Sequence, residues 1–443
     1  MVNGGADLVG SPWFSLTGLE FLVVQKYMKE VRRLVASEEQ GGIASALKLL
    51  DETLLISPSL DQALELRARL LLHLGRFKEV ADMLEDHIPS VKMVNEDPVS
   101  VSSSSSSSSQ NLSREGVKLL SSPDLPVWYP SFNCSPVSNL KKKVMADKIC
   151  VVCRYLVLGV ACGHLGLLED AVFLLQKGKR LASATFRQES LCGSDDSESV
   201  AQLLHGIKSL IRHRAGALAA LNSGLYSEAI RLFSKIFNDH RTAPQAFLAE
   251  CYMQRASAYC SAGRIADSIA DCNRTLVLDC NCIQALETRA SHFESICCWQ
   301  DSLHDLEHVK LLYNFILRDS KLPGPLWKRC NVCYREIPGK LCALTVKIQE
   351  MRQRLASGDI GNVDYYALFR VRRGCSLWEL EGAYVLLNQR HDPTRATGFI
   401  DRCELVDKHD VASMKVKAKM SAFLLYRLIQ SGYTSIKGTI LEK

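Results

Sequence analysis

The sequence lacks the long hydrophobic runs that a membrane-spanning helix needs. Its longest apolar stretches, such as Ile149–Cys162, are interrupted by Arg154 or fall short of the roughly 18–20 residues required. The first residues of the chain have no basic head followed by an apolar run, so we expect no secretory signal. These two absences predict a protein with no membrane partner that resides in the cytoplasm, the nucleus or both.

Aromatic residues are few, at 7% of the chain, and so are prolines, at 13 of 443 residues. With 47% hydrophobic residues the chain can still bury a core, which excludes a collagen-like or wholly disordered protein. The net charge of +6 is small for this length, so nucleic acid is not among the expected partners. Phosphate-binding glycine loops, zinc-protease motifs and nucleophile elbows are all missing from the sequence, which predicts no enzyme activity and no cofactor.

The 17 cysteines are not arranged as a disulfide framework, because a chain without an export signal stays in a reducing compartment. Many of them fall inside apolar helical patterns, where a free Cys acts as a small hydrophobe. Cys330 and Cys333 form a C-x-x-C pair in a connector and are the weak candidates for a metal site. A zinc site would need two more ligands, and no neighbouring pair has the spacing to supply them.

One spacing of small residues recurs along the chain. A small or apolar residue is followed seven positions later by Gly, or in one case by Cys. Another small or apolar residue comes five positions after that Gly or Cys. Gly tolerates the left-handed conformation that ends many helices, and small side chains let two helix backbones approach closely. The spacing predicts antiparallel helix pairs, and the residues that define it are Gly41, Ala46, Ala68, Gly75, Gly159, Gly166, Ala171, Ala217, Gly224, Ala229, Ala256, Gly263 and Ala290.

The repeats resemble those of the tetratricopeptide repeat (TPR) family. Gly41 and Gly75 are 34 residues apart, as are Gly263 and Cys297, and the segment GLYSEAIRLF at 224–233 fits the TPR pattern. The likeness covers about 27–92 and 145–320. It implies an all-α, TPR-type solenoid of helical hairpins that binds a protein or peptide partner in its groove. A generic α-helical bundle is the alternative fold.

Two polar segments interrupt the repeats. The first contains the serine run Ser102–Ser109 and predicts a flexible linker, and the second is an acidic, serine-rich insertion near 186–200 that we expect to loop out. The predicted plan is an N-terminal segment at 1–26, repeats at 27–92, the linker at 93–139, repeats at 140–322, a connector and amphipathic helix at 323–361, a C-terminal module at 362–436 and a tail at 437–443.

The C-terminal module resembles the J-domain of the DnaJ family, and the chain looks closest to plant proteins that join TPRs to such a module. The motif residues that match are Asp364, Tyr365, Tyr366, Leu368 and Val371. Where that family has His-Pro-Asp between two helices, this chain has His391, Asp392 and Pro393. In the family the tripeptide and a basic helix stimulate ATP hydrolysis by a heat-shock chaperone. The changed order, with acidic Glu379 and Glu381 on the preceding helix, predicts a degenerate module with weak activity.

We also expect the C-terminal module to tolerate loss of His391, because this histidine lies in a loop and not on an apolar face. As for the repeats, some TPR domains hold the acidic tail of heat-shock chaperones in a clamp of cations and amides. The resemblance makes Arg214, Gln254 and Arg289 the partner-binding candidates. Other clamp positions fall on Leu218 and Gln284, which departs from the pattern and predicts a different ligand.

Taken together, these features predict a protein–protein interaction adaptor that is associated with chaperones. Two other functions stay open. The first is a TPR scaffold in signalling or development without chaperone activity. The second is a zinc- or RNA-binding regulator that uses Cys330, Cys333 and the basic C-terminal helix.

Overall fold

The computed structural model describes residues 18–36, 40–58, 60–84, 87–88, 151–186, 194–239, 243–319, 334–357, 363–404 and 411–442. Within these ranges the chain is an all-α helical-repeat protein with sixteen α-helices and one pair of two-residue strands. The predicted linker at 93–139 and the C-x-x-C cysteines Cys330 and Cys333 lie outside the described residues. Among the described helices, none is both long enough and apolar enough to cross a membrane.

The first part of the array contains α1 (Gly18–Ala36), α2 (Gln40–Ile56), α3 (Asp61–His73), α4 (Phe77–Met83), α5 (Val151–Leu165), α6 (Leu168–Phe186), α7 (Ser194–Asn222) and α8 (Tyr226–Asp239). The second part contains strand β1 (Ala243–Pro244) and helices α9 (Gln245–Ser261), α10 (Ile265–Leu278), α11 (Ile283–Ser295), α12 (Trp299–Asp319) and α13 (Ile337–Ala356). The C-terminal part contains α14 (Tyr365–Phe369), α15 (Leu377–Arg390), strand β2 (Cys403–Glu404) and α16 (Val411–Leu441). Short 3-10 turns occupy Tyr334–Glu336 and Pro393–Arg395.

Consecutive helices pair into hairpins whose turns require a left-handed residue. Gly75, Gly166, Gly224 and Gly263 end the first helices of their hairpins with φ between +69° and +85°. Cys297 takes the same position in the next hairpin with φ 60°, a conformation that a side chain disfavours. At these five positions the residue that the spacing marks is also the one in the left-handed conformation.

Gly41 does not follow this rule, and its assignment to a turn was wrong. The structure places Gly41 in the first turn of α2, where an added Cβ would meet nothing within 4 Å. Helix α1 ends at Ala36 and α2 begins at Gln40, so Gly41 is the second residue of α2 and does not end a helix.

Small residues lie where the helices of a hairpin cross. All the alanines of the repeat pattern are buried, from fully inaccessible Ala46 and Ala229 to Ala68 at 2% exposure. Gly159 of α5 is the tightest case, because a Cβ built on it would lie 2.7 Å from Cγ of Leu175 in α6. The two backbones therefore approach more closely than any side chain at position 159 would allow.

Three predicted boundaries were wrong. Helix α1 begins at Gly18, inside the segment 1–26 that we expected to precede the repeats. The insertion near 186–200 does not loop out as a whole, because 194–200 form the first two turns of the long helix α7. At the other end, α16 continues to Leu441 and takes in most of the expected tail at 437–443. Helix ends depend on tertiary support as well as on local propensity, which explains all three differences.

One apolar core runs from the first hairpins into the later ones. It includes Val31 and Leu50 at one end, Leu158 and Leu175 in the middle and Phe247 further on. An ion pair between Arg154 of α5 and Asp61 of α3, at 2.6 Å, also joins the parts on either side of the gap in the described residues. The early and late hairpins therefore form one continuous stack.

The C-terminal part packs against the array instead of standing apart from it. Helix α16 lies across α10, and α14 and α15 pack on α16 in turn. Helix α10 is consequently surrounded by α9, α11 and α16, and even its polar residues Asp267, Asp271 and Asn273 are buried. A parallel bridge between β1 and β2 ties the same parts together, with Ala243 opposite Cys403 and Pro244 opposite Glu404.

Candidate functional site

Arg214, the first partner-binding candidate, is held by carboxylates of its own chain. Its guanidinium donates to Oε2 of Glu250 at 2.6 Å and to Oε1 of Glu169. The Arg214 side chain is 11% exposed, whereas those of Glu169 and Glu250 are about half exposed. One cation is thus shared between two carboxylates on α6 and α9, so Arg214 has no free charge to offer an acidic peptide.

Arg289, the second candidate cation, is also internally paired. It makes a two-pronged ion pair with Asp305, with N–O distances of 2.8 and 2.6 Å, and a further hydrogen bond to Oδ1 of Asn273 at 2.6 Å. Arg255 pairs in the same way with Asp271 one hairpin earlier, at 2.6 and 2.8 Å. Within each pair the two residues are 16 positions apart in the sequence, and each ion pair joins the first helix of a hairpin to the second.

The third candidate, Gln254, is half-buried on α9 two positions before the buried Ala256. Thr288 holds the equivalent place before Ala290 on α11, and Gln284 is exposed one turn earlier on the same helix. Gln254, Gln284, Thr288 and Glu250 form a surface that we name the repeat face. It presents amides, a hydroxyl and a carboxylate. A chaperone-tail clamp needs several free cations, so the structure speaks against a clamp built on Arg214 and Arg289.

The loop that resembles the J-domain tripeptide lies in the contact between the C-terminal part and the array. His391 is buried at 7% exposure, and its Nε2 lies 3.4 Å from Oδ1 of Asp267 on α10. Arg390 approaches the other oxygen of the same carboxylate at 3.6 Å. The prediction that the module tolerates loss of His391 rested on its place in a loop; the structure keeps His391 in that loop but buries it against α10.

Asp267 is the electrostatic centre of this contact. Burial alone would raise the pKa of Asp267, but the nearby His391 and the Arg264 guanidinium, 2.8 Å away, outweigh burial and lower the pKa to about 2. The carboxylate therefore stays ionised at all physiological pH values and attracts the Arg390 guanidinium beside the buried His391. This arrangement holds the loop closed against α10.

Asp392 and Pro393 begin the short turn that follows His391. The Asp392 carboxylate accepts from the backbone N of Thr394 at 2.8 Å, which caps the short 3-10 turn Pro393–Arg395 and lowers the pKa of Asp392. Beside this turn, α10 and α16 form a shallow cleft whose rim carries Arg274, Arg390 and Arg395. The carboxylate of Asp392 lines it too, so the cleft has mixed charge.

Sequence reasoning missed Asp267, Asn273 and Glu404 as contact residues. The Asn273 amide donates to the backbone oxygen of Ser421 on α16 at 3.4 Å, and Oε1 of Glu404 lies 2.6 Å from Nδ1 of the buried His164. These polar residues look like an ordinary solvent-facing stripe in sequence. The signal available in the sequence was the four-residue spacing of Asp267 and Asp271, which places both carboxylates on one side of α10.

Several cysteines of the described part lie in the packed interior. Within those ranges no group of three or more His, Cys, Asp or Glu side chains is placed to hold a metal ion. Burial raises the pKa of Cys298 and Cys403 to about 12, and it raises the pKa of Cys162, Cys251 and Cys272 as well. These thiols stay protonated and serve as packing residues.

Comparison with known proteins adds little to this description. No protein-family model matches the sequence, and no curated protein sequence matches it either. Among solved structures, the TPR domain of P58(IPK) is 16% identical with a TM-score of 0.40, covering 95% of this chain and 98% of that one. The TPR2AB domain of yeast Sti1, solved as a complex with pHSP90, is 13% identical with a TM-score of 0.24, covering 73% and 99%. At these scores neither likeness defines a family or a function.

Proposed function

We propose that this protein is a TPR-type adaptor that binds a protein or peptide on its repeat face. The observation that carries the proposal is the continuous stack of helical hairpins, clipped by the pairs Arg255–Asp271 and Arg289–Asp305. Such a stack is rigid and presents an extended row of side chains from successive first helices, which is the geometry that repeat proteins use to bind partners.

The charge of the repeat face defines the class of ligand. Glu169 and Glu250 are half exposed and outnumber Arg214, the cation they share. Around them Gln254, Gln284 and Thr288 offer hydrogen bonds without charge. A neutral or basic extended peptide is therefore the better ligand, because an acidic tail would be repelled by the two carboxylates.

A chaperone association enters the proposal through the C-terminal part. The order of its short helix, its second helix and the His391 loop resembles that of a J-domain, and Ser376 and Glu379 form a capping box at the start of α15. Against a stimulating activity stands the burial of His391 on Asp267. This burial favours the rival function, a scaffold that uses the same repeat face without chaperone activity.

The repeat face is tested by affinity purification with the full chain. We expect Gln284→Arg to reduce recovery of the partner several-fold, because a cation at this position repels a basic ligand. The matched control is Gln300→Arg, which places the same side chain at an exposed position on α12. Equal loss in both variants, or unchanged recovery in both, would remove the repeat face as the binding surface.

The chaperone role is tested separately with an ATPase assay. We expect the full chain to stimulate a heat-shock chaperone ATPase weakly, and Asp267→Ala to increase that stimulation by releasing the loop. Co-purification of the chaperone that responds to ATP would support the adaptor. If neither the full chain nor Asp267→Ala stimulates the ATPase and no chaperone co-purifies, the scaffold is the correct function.

A further inference from the structure

Helix α16 is unusual because it has apolar residues on two opposite faces. One face is packed inside the molecule and includes Met414, Ala418, Leu425 and Ile429, all 7% exposed or less. These residues contact α10, α14 and α15 and hold the helix in place. The hydrophobic requirement of an ordinary amphipathic helix is already met by this face.

The opposite face carries a second set of large apolar side chains that remain in solvent. Val416, Met420, Phe423 and Leu424 are 62%, 57%, 47% and 59% exposed. Their spacing of i, i+4, i+7 and i+8 places them in one row, which we name the outer stripe, about 12 Å long at 1.5 Å per residue. A row of this kind on a folded protein marks a binding surface more often than a chance exposure.

The outer stripe is confined to the first half of α16. Further along the same side of the helix come Arg427, Ser431 and Thr434, which are polar and exposed. The apolar surface therefore ends after little more than two turns, the length over which a helical peptide places its i, i+4 and i+7 anchors.

Charge defines the partner of the stripe. Residues 411–441 include no Asp or Glu. Lys417 and Lys419 are exposed and lie on either side of the stripe, and Arg427 follows at its end. Lys415 is already paired with Asp401 at 2.7 Å, so it contributes less. The stripe is thus an apolar row with a basic border.

We propose that the outer stripe binds an acidic amphipathic helix of another protein. Apolar side chains of that helix would cover Val416, Met420 and Phe423, and its carboxylates would face Lys417 and Lys419. A second copy of this chain would bring the same lysines face to face. An anionic membrane is less suitable, because the polar second half of α16 lies in line with the stripe and would be drawn into the lipid. This docking surface is independent of the repeat face.

The test uses the full-length protein and a fluorescein-labelled synthetic peptide, about four helical turns long, with Leu at anchor spacing and Glu elsewhere. We expect saturable binding by fluorescence anisotropy that weakens as salt is raised. Met420→Ser combined with Phe423→Ser should weaken binding by about tenfold or more, because two central anchors are lost. Lys417→Glu combined with Lys419→Glu should weaken it by a similar factor and reduce the salt dependence. All four positions are exposed, so folding should be unaffected.

Matched controls separate this surface from general stickiness. Leu55→Ser with Leu311→Ser removes apolar side chains on α2 and α12 that are more exposed than Met420 and Phe423. Lys29→Glu with Lys208→Glu reverses exposed charges on α1 and α7. Both controls should bind the peptide like the unaltered protein. In addition, the methyl resonance of Met420, assigned with Met420→Leu, should shift on peptide addition.

Three results would overturn the proposal. The first is absence of peptide binding, and the second is equal weakening in the stripe and control variants. The third is tight binding to phosphatidylcholine–phosphatidylserine vesicles that is lost in the stripe variants while the peptide fails to compete, which would assign the stripe to a membrane surface.

Discussion

His391 and Asp267 face each other across the contact between the C-terminal part and the repeat array, with Nε2 3.4 Å from Oδ1. Both side chains are at most 10% exposed. His391 therefore packs its own loop against a repeat helix.

We expect His391→Ala to destabilise the folded protein by about 1–3 kcal/mol, because it leaves the buried Asp267 carboxylate with one fewer partner. Asp267→Asn should cost a similar amount. Chemical unfolding of both single variants and the double variant measures their coupling, and we expect the double variant to cost less than the sum of the two. Strict additivity would show that the two side chains do not interact.

Gly159→Ala should destabilise the protein by about 1–3 kcal/mol, because the new Cβ would meet Cγ of Leu175 at 2.7 Å. The matched control is Gly206→Ala on α7, where an added Cβ has open space. Removing a helical glycine there should stabilise the protein by about 0.5–1 kcal/mol. Thermal melting of both variants checks the opposite signs, and shifts in the same direction would contradict the close crossing of α5 and α6.

Ala229→Arg should unfold its hairpin, because Ala229 is fully buried against Ala220 and Ala258, and a charged side chain has no space there. The cost should exceed about 3 kcal/mol, since overpacking and burial of an unpaired charge act together. Ala219→Arg on the exposed side of α7 is the control and should change stability by less than about 0.5 kcal/mol. Circular dichroism during heating would show the difference, and an unchanged melting curve for Ala229→Arg would remove the repeat assignment at this position.

Stability should fall as the pH is lowered from neutral, partly because of His292. This histidine is buried on α11 with Nε2 2.8 Å from Oγ of Ser268, and burial lowers its pKa. The unfolded chain takes up a proton at the ordinary histidine pKa of about 6.5, whereas the folded chain does so only at lower pH. The free energy of unfolding therefore decreases as the pH falls from about 6.5 to the lowered pKa of His292 in the folded protein.

Urea unfolding at about pH 7.5 and about pH 5.5 measures this loss. His292→Gln should be less stable at the higher pH but should show a smaller change between the two values. His205→Gln, at an exposed position on α7, should keep the full change. If His292→Gln retains the same pH dependence as the unaltered protein, another group is responsible.

The sequence predicts those features of the fold that depend on neighbours along the chain. Gly166 and Gly224 mark turns because a positive φ excludes most other residues, and Ala217 and Ala256 mark helix crossings because only small side chains fit. Both requirements are local and leave a spacing that can be read directly.

The docking of the C-terminal part has no such spacing. Asp267, Asp271 and Asn273 have the polarity of a solvent-facing helix side, and only the fold reveals that α16 and Arg255 cover them. For the same reason Arg214 falls on a cation position of a peptide clamp in sequence and Arg289 lies next to one. In the structure, Glu169, Glu250 and Asp305 already pair with these two cations. Partners distant in sequence decide both cases, and periodicity does not report them.

The bridge between β1 and β2 constrains the order in which this protein is completed during synthesis. Ala243 and Cys403 are 160 residues apart, and the joint between α8 and α9 also receives a hydrogen bond from Arg402 to the backbone oxygen of Phe237, at 3.3 Å. Closing so long a loop costs chain entropy and is slow compared with forming each hairpin. A nascent chain that has emerged from the ribosome only up to α13 would therefore contain folded hairpins, but the joint between α8 and α9 would lack β2. The backbone of Ala243 and Pro244 would have no partner strand at that stage.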